Sequence, residues 1–80
     1  MRIRVKLFSV IREICGHSEL SLDFSGRTVG ELWLQLEQQH PALRPLRASR
    51  AMAVNRQHAR EEHVLHEGDE VAFFPPVSGG

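Results

Sequence analysis

The 80-residue sequence has one cysteine, one tryptophan, no tyrosine and a single lysine among ten basic side chains. Each scarcity excludes something. One cysteine can form neither an internal disulfide nor an all-cysteine metal site, which suits a reducing compartment, so a cytoplasmic location is expected. Ten basic against ten acidic residues give a formal net charge of zero. The basic excess by which nucleic-acid binders displace counterions is therefore missing, and no nucleic-acid partner is expected. No apolar run approaches the ~20 residues that span a bilayer. Arg12 and Glu13 break the N-terminal stretch before a signal-peptide core forms, so no membrane partner is expected either. A chain of this length makes one domain and buries roughly 60% of its unfolded surface, too little for a deep catalytic cleft.

What the chain does have is patterning. Arg2 to Leu7 alternates polar and apolar residues, the period of a half-buried strand, with Ile3, Val5 and Leu7 inward. Phe8 then falls on the outer face. Ser9 to Cys15 reads as a short helical turn with Val10, Ile11 and Ile14 inward, ended by Gly16. Glu19 to Phe24 alternates again. Thr28-Val29-Gly30-Glu31 has capping-box spacing, and Val29, Leu32, Trp33 and Leu36 form the stripe of an amphipathic helix that Pro41 stops. Leu43 to Arg50 reads as an irregular loop, Ala51 to Asn55 as a strand with Met52 and Val54 on one face, and Glu61 to Leu65 as a further short strand. In the last strand, Glu70 to Phe74, Val71 and Phe73 point one way while Glu70, Ala72 and Phe74 point out. One helix cannot cover both faces of such a sheet. The expected class is α+β, a mixed sheet with one main helix packed on one face and the other face free for a partner.

The chain closes on Pro75-Pro76-Val77-Ser78-Gly79-Gly80. The prolines favour an extended exit, and six extended residues reach roughly 20 Å. Residues 1–74 are expected to form the domain and residues 75–80 the tail. Gly79 and Gly80 have no side chains, so the tip can enter a channel that any Cβ would block. Its α-carboxylate is ionised at neutral pH and is a poor electrophile until activated, most simply by adenylation with ATP. The tail has no phosphate-cradling loop and no acid or base. The chain therefore reads as a carrier with a reactive terminus that partner enzymes serve.

Ala53-Val54-Asn55, together with Glu67-Gly68-Asp69-Glu70-Val71-Ala72-Phe73-Phe74-Pro75-Pro76-Val77-Ser78-Gly79-Gly80, resembles the small subunit of molybdopterin synthase, the MoaD-like sulfur carriers. Lys6-Leu7-Phe8 followed by Arg12-Glu13 fits the same pattern, so the likeness covers essentially the whole chain. The resemblance implies a ubiquitin-like β-grasp fold. It implies that a MoeB-type enzyme adenylates Gly80 and that a persulfide donor converts it to a thiocarboxylate. No permanently bound cofactor is implied. The charged carrier would insert its tail into the large synthase subunit of a heterotetramer, and the thiocarboxylate would give its sulfur to cyclic pyranopterin monophosphate. Phe8 and Phe74, if their strands are neighbours, make one exposed apolar patch for that partner. His58 departs from the family, which often has an aliphatic residue there, and makes that edge more polar.

Alternative readings are a sulfur carrier for thiamine thiazole synthesis, a ubiquitin-like protein modifier, and an interaction module with an inert tail. Lys6 as sole lysine weakens the chain-building version of a modifier. His63 and His66 lack the further ligands a metal site needs, so no metal is expected. Cys15, with no base beside it, reads as a packed small residue. Residues 41–60 hold five arginines and no acid, and residues 61–70 hold five acids. Two readings stay open for them: solvated loops with weak ion pairs, or patches that orient partners.

Overall fold

The structure, a computed structural model, describes residues 1–76. Five strands form one mixed sheet: β1 (Arg2–Leu7), β2 (Glu19–Asp23), β3 (Ala51–Val54), β4 (Gln57–His58) and β5 (Glu70–Phe74), in the order β2-β1-β5-β3-β4. β1 and β5 run parallel at the centre, and the other pairings are antiparallel. Helix α1 (Ser9–Cys15) follows β1, and α2 (Val29–Gln39) follows β2. This is the ubiquitin-like β-grasp arrangement.

Alternation decides which face is covered. Ile3 pairs with Leu22, Val5 with Leu20 and Val71, and Leu7 with Phe73, while Met52 and Val54 oppose Phe73 and Val71. These rows join Val29, Leu32, Trp33 and Leu36 of α2 in one buried cluster, against which Leu20 and Leu22 pack partly buried. Trp33 meets Phe73 edge-on, with ring centroids 5.1 Å apart. Each such fully buried side chain contributes roughly 1.5–3 kcal/mol.

The start of α2 follows the expected capping box: Thr28 Oγ1 accepts from the Glu31 N–H, and Glu31 Oε1 accepts from the Thr28 N–H. The N–H groups of Arg27 and Thr28 hold the Glu31 carboxyl below the usual glutamate range. Gly30 lets the first turn approach residue 61 closely. A Cβ there would sit 3.2 Å from Glu61 Cβ, and the Gly30 N–H donates to Glu61 O at 2.9 Å. At the end of α1, Gly16 takes φ 80, a left-handed cap for which glycine carries no steric penalty.

Four sequence expectations are corrected. In α1 Ile11 and Cys15, at i and i+4, are buried and Ile14 packs partly buried against the core, whereas Val10, also expected inward, is 39% exposed. Of the stretch Leu43 to Arg50, expected as loop, Leu43 to Leu46 belong to a 3₁₀ helix over Pro41–Leu46 that buries Leu43. A proline in the first turn removes an N–H that would lack a partner anyway. Asn55 leaves the third strand: with φ 51, and Arg56 with φ 70, it makes a two-residue turn into β4. The short strand is therefore Gln57–His58, not residues 61–65, which contribute only an isolated bridge between Val64 and Thr28.

Candidate functional site

Among the described residues no helix packs on the other face of the sheet. Across its middle runs a cross-strand row of Glu19, Lys6, Ala72, Ala53 and His58. The three positions on β1, β5 and β3 thus carry one long side chain and two alanines, a low floor. Ala72 is buried yet stands outside the core cluster, covered by its neighbours on this open face. One end of the floor is charged. Glu70 Oε1 lies 3.5 Å from Arg4 Nη2 and 3.7 Å from Lys6 Nζ.

The other end is aromatic. Phe8 and Phe74 stack with centroids 4.6 Å apart and ring planes at 10°. The parallel register that pairs Leu7 with Phe73 brings their successors side by side. Phe8 is extended and caps the start of α1, its carbonyl accepting from the Ile11 N–H at 3.1 Å, and Ser9 at φ 54 turns the chain away. Phe8 is therefore not a strand residue, but the turn leaves its ring on the open face, 40% exposed. Lys6, Phe8, Ala53, Arg56, Glu70, Ala72 and Phe74 line a shallow depression of about 330 Å³. The two rings stand where β5 hands over to half-buried Pro75 and exposed Pro76. The other expected tail residues, Val77, Ser78, Gly79 and Gly80, lie outside the described residues.

Among the described residues no cluster of three or more His, Cys, Asp or Glu side chains could hold a metal ion. The His63 carbonyl accepts from Val29 N–H at the start of α2, and the His66 N–H donates to Asp69. Cys15 is buried, and burial pushes its thiol up, away from the thiolate form that would attack or ligate. No helix among the described residues is long and apolar enough to cross a membrane.

The basic and acidic stretches divide. Arg47 forms a two-pronged pair with Glu37, at 2.7 Å from Nε and 2.5 Å from Nη2, and Trp33 Nε1 also donates to Glu37. Arg47 chiefly, with Trp33, holds the buried Glu37 carboxyl below its usual range despite burial. Arg50 is buried over the Trp33 ring, 4.6 Å from its centroid, and pairs with Glu61. These side chains hold the core. Sequence reasoning missed Glu37 because an acid in a helix reads as solvated. Its one signal was the i, i+4 spacing from Trp33. Asn55 was also missed. Its Oδ1 accepts from the Glu70 N–H at 3.0 Å and its Nδ2 donates to Asp69 at 2.9 Å, which ties the turn after β3 to the start of β5.

Comparison with known proteins agrees with this geometry. The profile of the ThiS family matches residues 5–80. The chain is 40% identical over 83 residues to the molybdopterin synthase sulfur carrier subunit of Mycobacterium tuberculosis, covering 100% of this chain and 99% of that one. It is 35% identical over 83 residues to the subunit of the same name from Chlamydomonas reinhardtii, with 100% of both chains covered. The solution structure of small archaeal modifier protein 1 from Methanosarcina acetivorans superposes with a TM-score of 0.84 at 32% identity, covering 99% of this chain and 96% of that one. The match across residues 5–80, over a β-grasp body, places the chain in the ThiS family.

Proposed function

We propose that the chain is the sulfur carrier subunit of a molybdopterin synthase and works in the cytoplasm. The observation that carries the reading is the Phe8–Phe74 stack on the uncovered sheet face, beside the point where β5 passes into Pro75-Pro76. An apolar patch beside a charged rim is how a small domain presents itself to a partner. The full-length likeness to molybdopterin synthase sulfur carrier subunits supports the large synthase subunit as that partner.

In this reading residues 1–74 are the recognition body and residues 75–80 an extended tail. A MoeB-type enzyme spends ATP to adenylate the Gly80 carboxylate, with pyrophosphate leaving. The outer sulfur of a donor persulfide then attacks the acyl carbon and AMP departs. A second thiol of the donor cleaves the resulting acyl disulfide, which releases the Gly80 thiocarboxylate and leaves the donor as a disulfide. The body docks on the large subunit through Phe8 and Phe74, and Val77 to Gly80 thread to the reacting pterin. There the terminal sulfur passes to cyclic pyranopterin monophosphate on the way to the dithiolene. In this reading general acid–base groups come from the large subunit, in whose active site the chemistry takes place. A second reading, a protein modifier, draws on the likeness to small archaeal modifier protein 1. It uses the same activation and ends in an amide to a lysine of another protein.

The test is the length of the tail. Deleting Gly80, or adding one residue after it, abolishes sulfur transfer to the pterin while the melting temperature stays unchanged. Normal turnover in either variant refutes the tail mechanism. A lysine-linked product with no pterin conversion favours the modifier.

A further inference from the structure

Nine of the ten basic residues are arginine, and Lys6 carries the only ε-amine. A guanidinium keeps its charge but stays protonated and is no amine nucleophile. The Met1 amine donates to Phe24 O at 2.9 Å. Lys6 lies in the central row of the open face, opposite Ala72, with Phe8 and Phe74 lining the same depression. Its side chain is 35% exposed and its Nζ is 3.7 Å from Glu70. The single ε-amine is thus under the footprint of any partner that takes both aromatic rings. Exposed Arg12, Arg44 and Arg60 hold positive charge elsewhere on the surface.

We propose that docking masks the chain's only ε-amine, so that a docked chain does not receive the terminal acyl group of an activated copy on its lysine. The inference rests on the carrier reading above. An acyl-adenylate is electrophilic toward any free amine. In the reaction avoided, the Lys6 nitrogen of a second copy attacks the Gly80 carbonyl carbon. The new N–C bond forms, the C–O bond to phosphate breaks, AMP leaves, and the ammonium proton passes to water. Arginine at the remaining basic positions removes other side-chain amines, and the docked partner covers the last.

The test uses the full chain with its cognate large subunit, complex formation being checked first by size-exclusion chromatography. A short pulse of N-hydroxysuccinimidyl acetate is then read residue by residue by peptide mass, for the wild type and for Arg60→Lys, free and docked. Acetylation of Lys6 falls roughly tenfold or more on docking, because a covered amine reacts only when the complex opens. Lys6 that labels as fast docked as free overturns the masking. In a second arm, each docked variant (wild type, Lys6→Arg or Arg60→Lys) is offered as acceptor to a Lys6→Arg chain that the activating enzyme and ATP have adenylated with no sulfur source, with pyrophosphate release confirming activation. Amide-linked chain dimers from the wild type then match the Lys6→Arg background, and Arg60→Lys gives several-fold more. Arg60→Lys at the wild-type level, or wild-type dimers linked through Lys6, overturns the proposal. A chain that forms no complex, or releases no pyrophosphate, overturns the carrier reading instead and the inference with it.

Discussion

On β5, Val71 and Phe73 are fully buried beneath α2, while Glu70 and Phe74 look out from the opposite face, Glu70 beside Arg4 and Lys6 and Phe74 against Phe8. The same alternation runs through β1, where Ile3, Val5 and Leu7 are buried and Arg4 and Lys6 stand in the open. Neighbours in sequence therefore belong to different environments. One face is closed by a helix and filled by rings and branched chains. The other has an alanine floor, a charged end and an aromatic end. A domain of this size has too little interior for both a core and a pocket, so it divides the two tasks between faces.

Adjacent phenylalanines make the sharpest break in that comparison. Phe73→Ala removes a ring packed against Trp33 and costs about 3–5 kcal/mol. At roughly 4–8 °C per kcal/mol for a domain of this size, thermal melting reads that loss directly. Phe74→Ala costs only about 0.5–1.5 kcal/mol of stability, the worth of one exposed stack. Its main effect is on docking: binding to the large subunit weakens by about 2 kcal/mol, as for a central interface aromatic, measured by calorimetry. Equal losses of stability at both positions would erase the distinction between the faces.

Glu37 sharpens the comparison from the closed side. Glu37→Gln takes a charge-assisted partner from Arg47 and costs about 1–2 kcal/mol by chemical denaturation, with docking unchanged. Its pH signature has a definite sign. The folded carboxyl binds its proton more weakly than the unfolded one, whose ordinary value is 4.5. The unfolded state therefore holds more protons in the acid range, and stability rises with pH there. The Glu37 contribution is fully present above that value and is lost as pH falls below it through the depressed folded value. Glu31 acts in the same direction. Glu37→Gln flattens the acid limb of a stability–pH curve, and an unchanged limb would contradict the pairing.

The smallest effect belongs to the turn after β3. Arg56 holds φ 70 at a position where glycine is at ease. Arg56→Gly raises stability by up to about 1 kcal/mol, read as a small rise in melting temperature. Because Arg56 also borders the open depression, its loss shifts the salt dependence of docking more than the fold.

Most of this division was legible in the residues. Period-two alternation revealed β1 and β5 and placed Phe74 outward, and the capping box with the Val29-Leu32-Trp33-Leu36 stripe revealed α2. Local pattern failed where distant segments decide. Arginine at the second turn position hid the turn into β4, and Pro41 and Pro45 hid a 3₁₀ helix that Leu43 anchors in the core. Glu37 looked like a surface acid because Arg47, which completes its burial, arrives ten residues later. Phe8 reached the open face by a turn at Ser9 rather than by strand alternation.

The most direct measurement is the intact mass of the chain after incubation with a MoeB-type activating enzyme, ATP and a persulfide sulfur source. Sulfur carriage predicts one product, heavier by the difference between a sulfur and an oxygen atom, with the change confined to the C-terminal peptide ending in Gly80. An unchanged mass, under conditions that charge a known carrier, would contradict it.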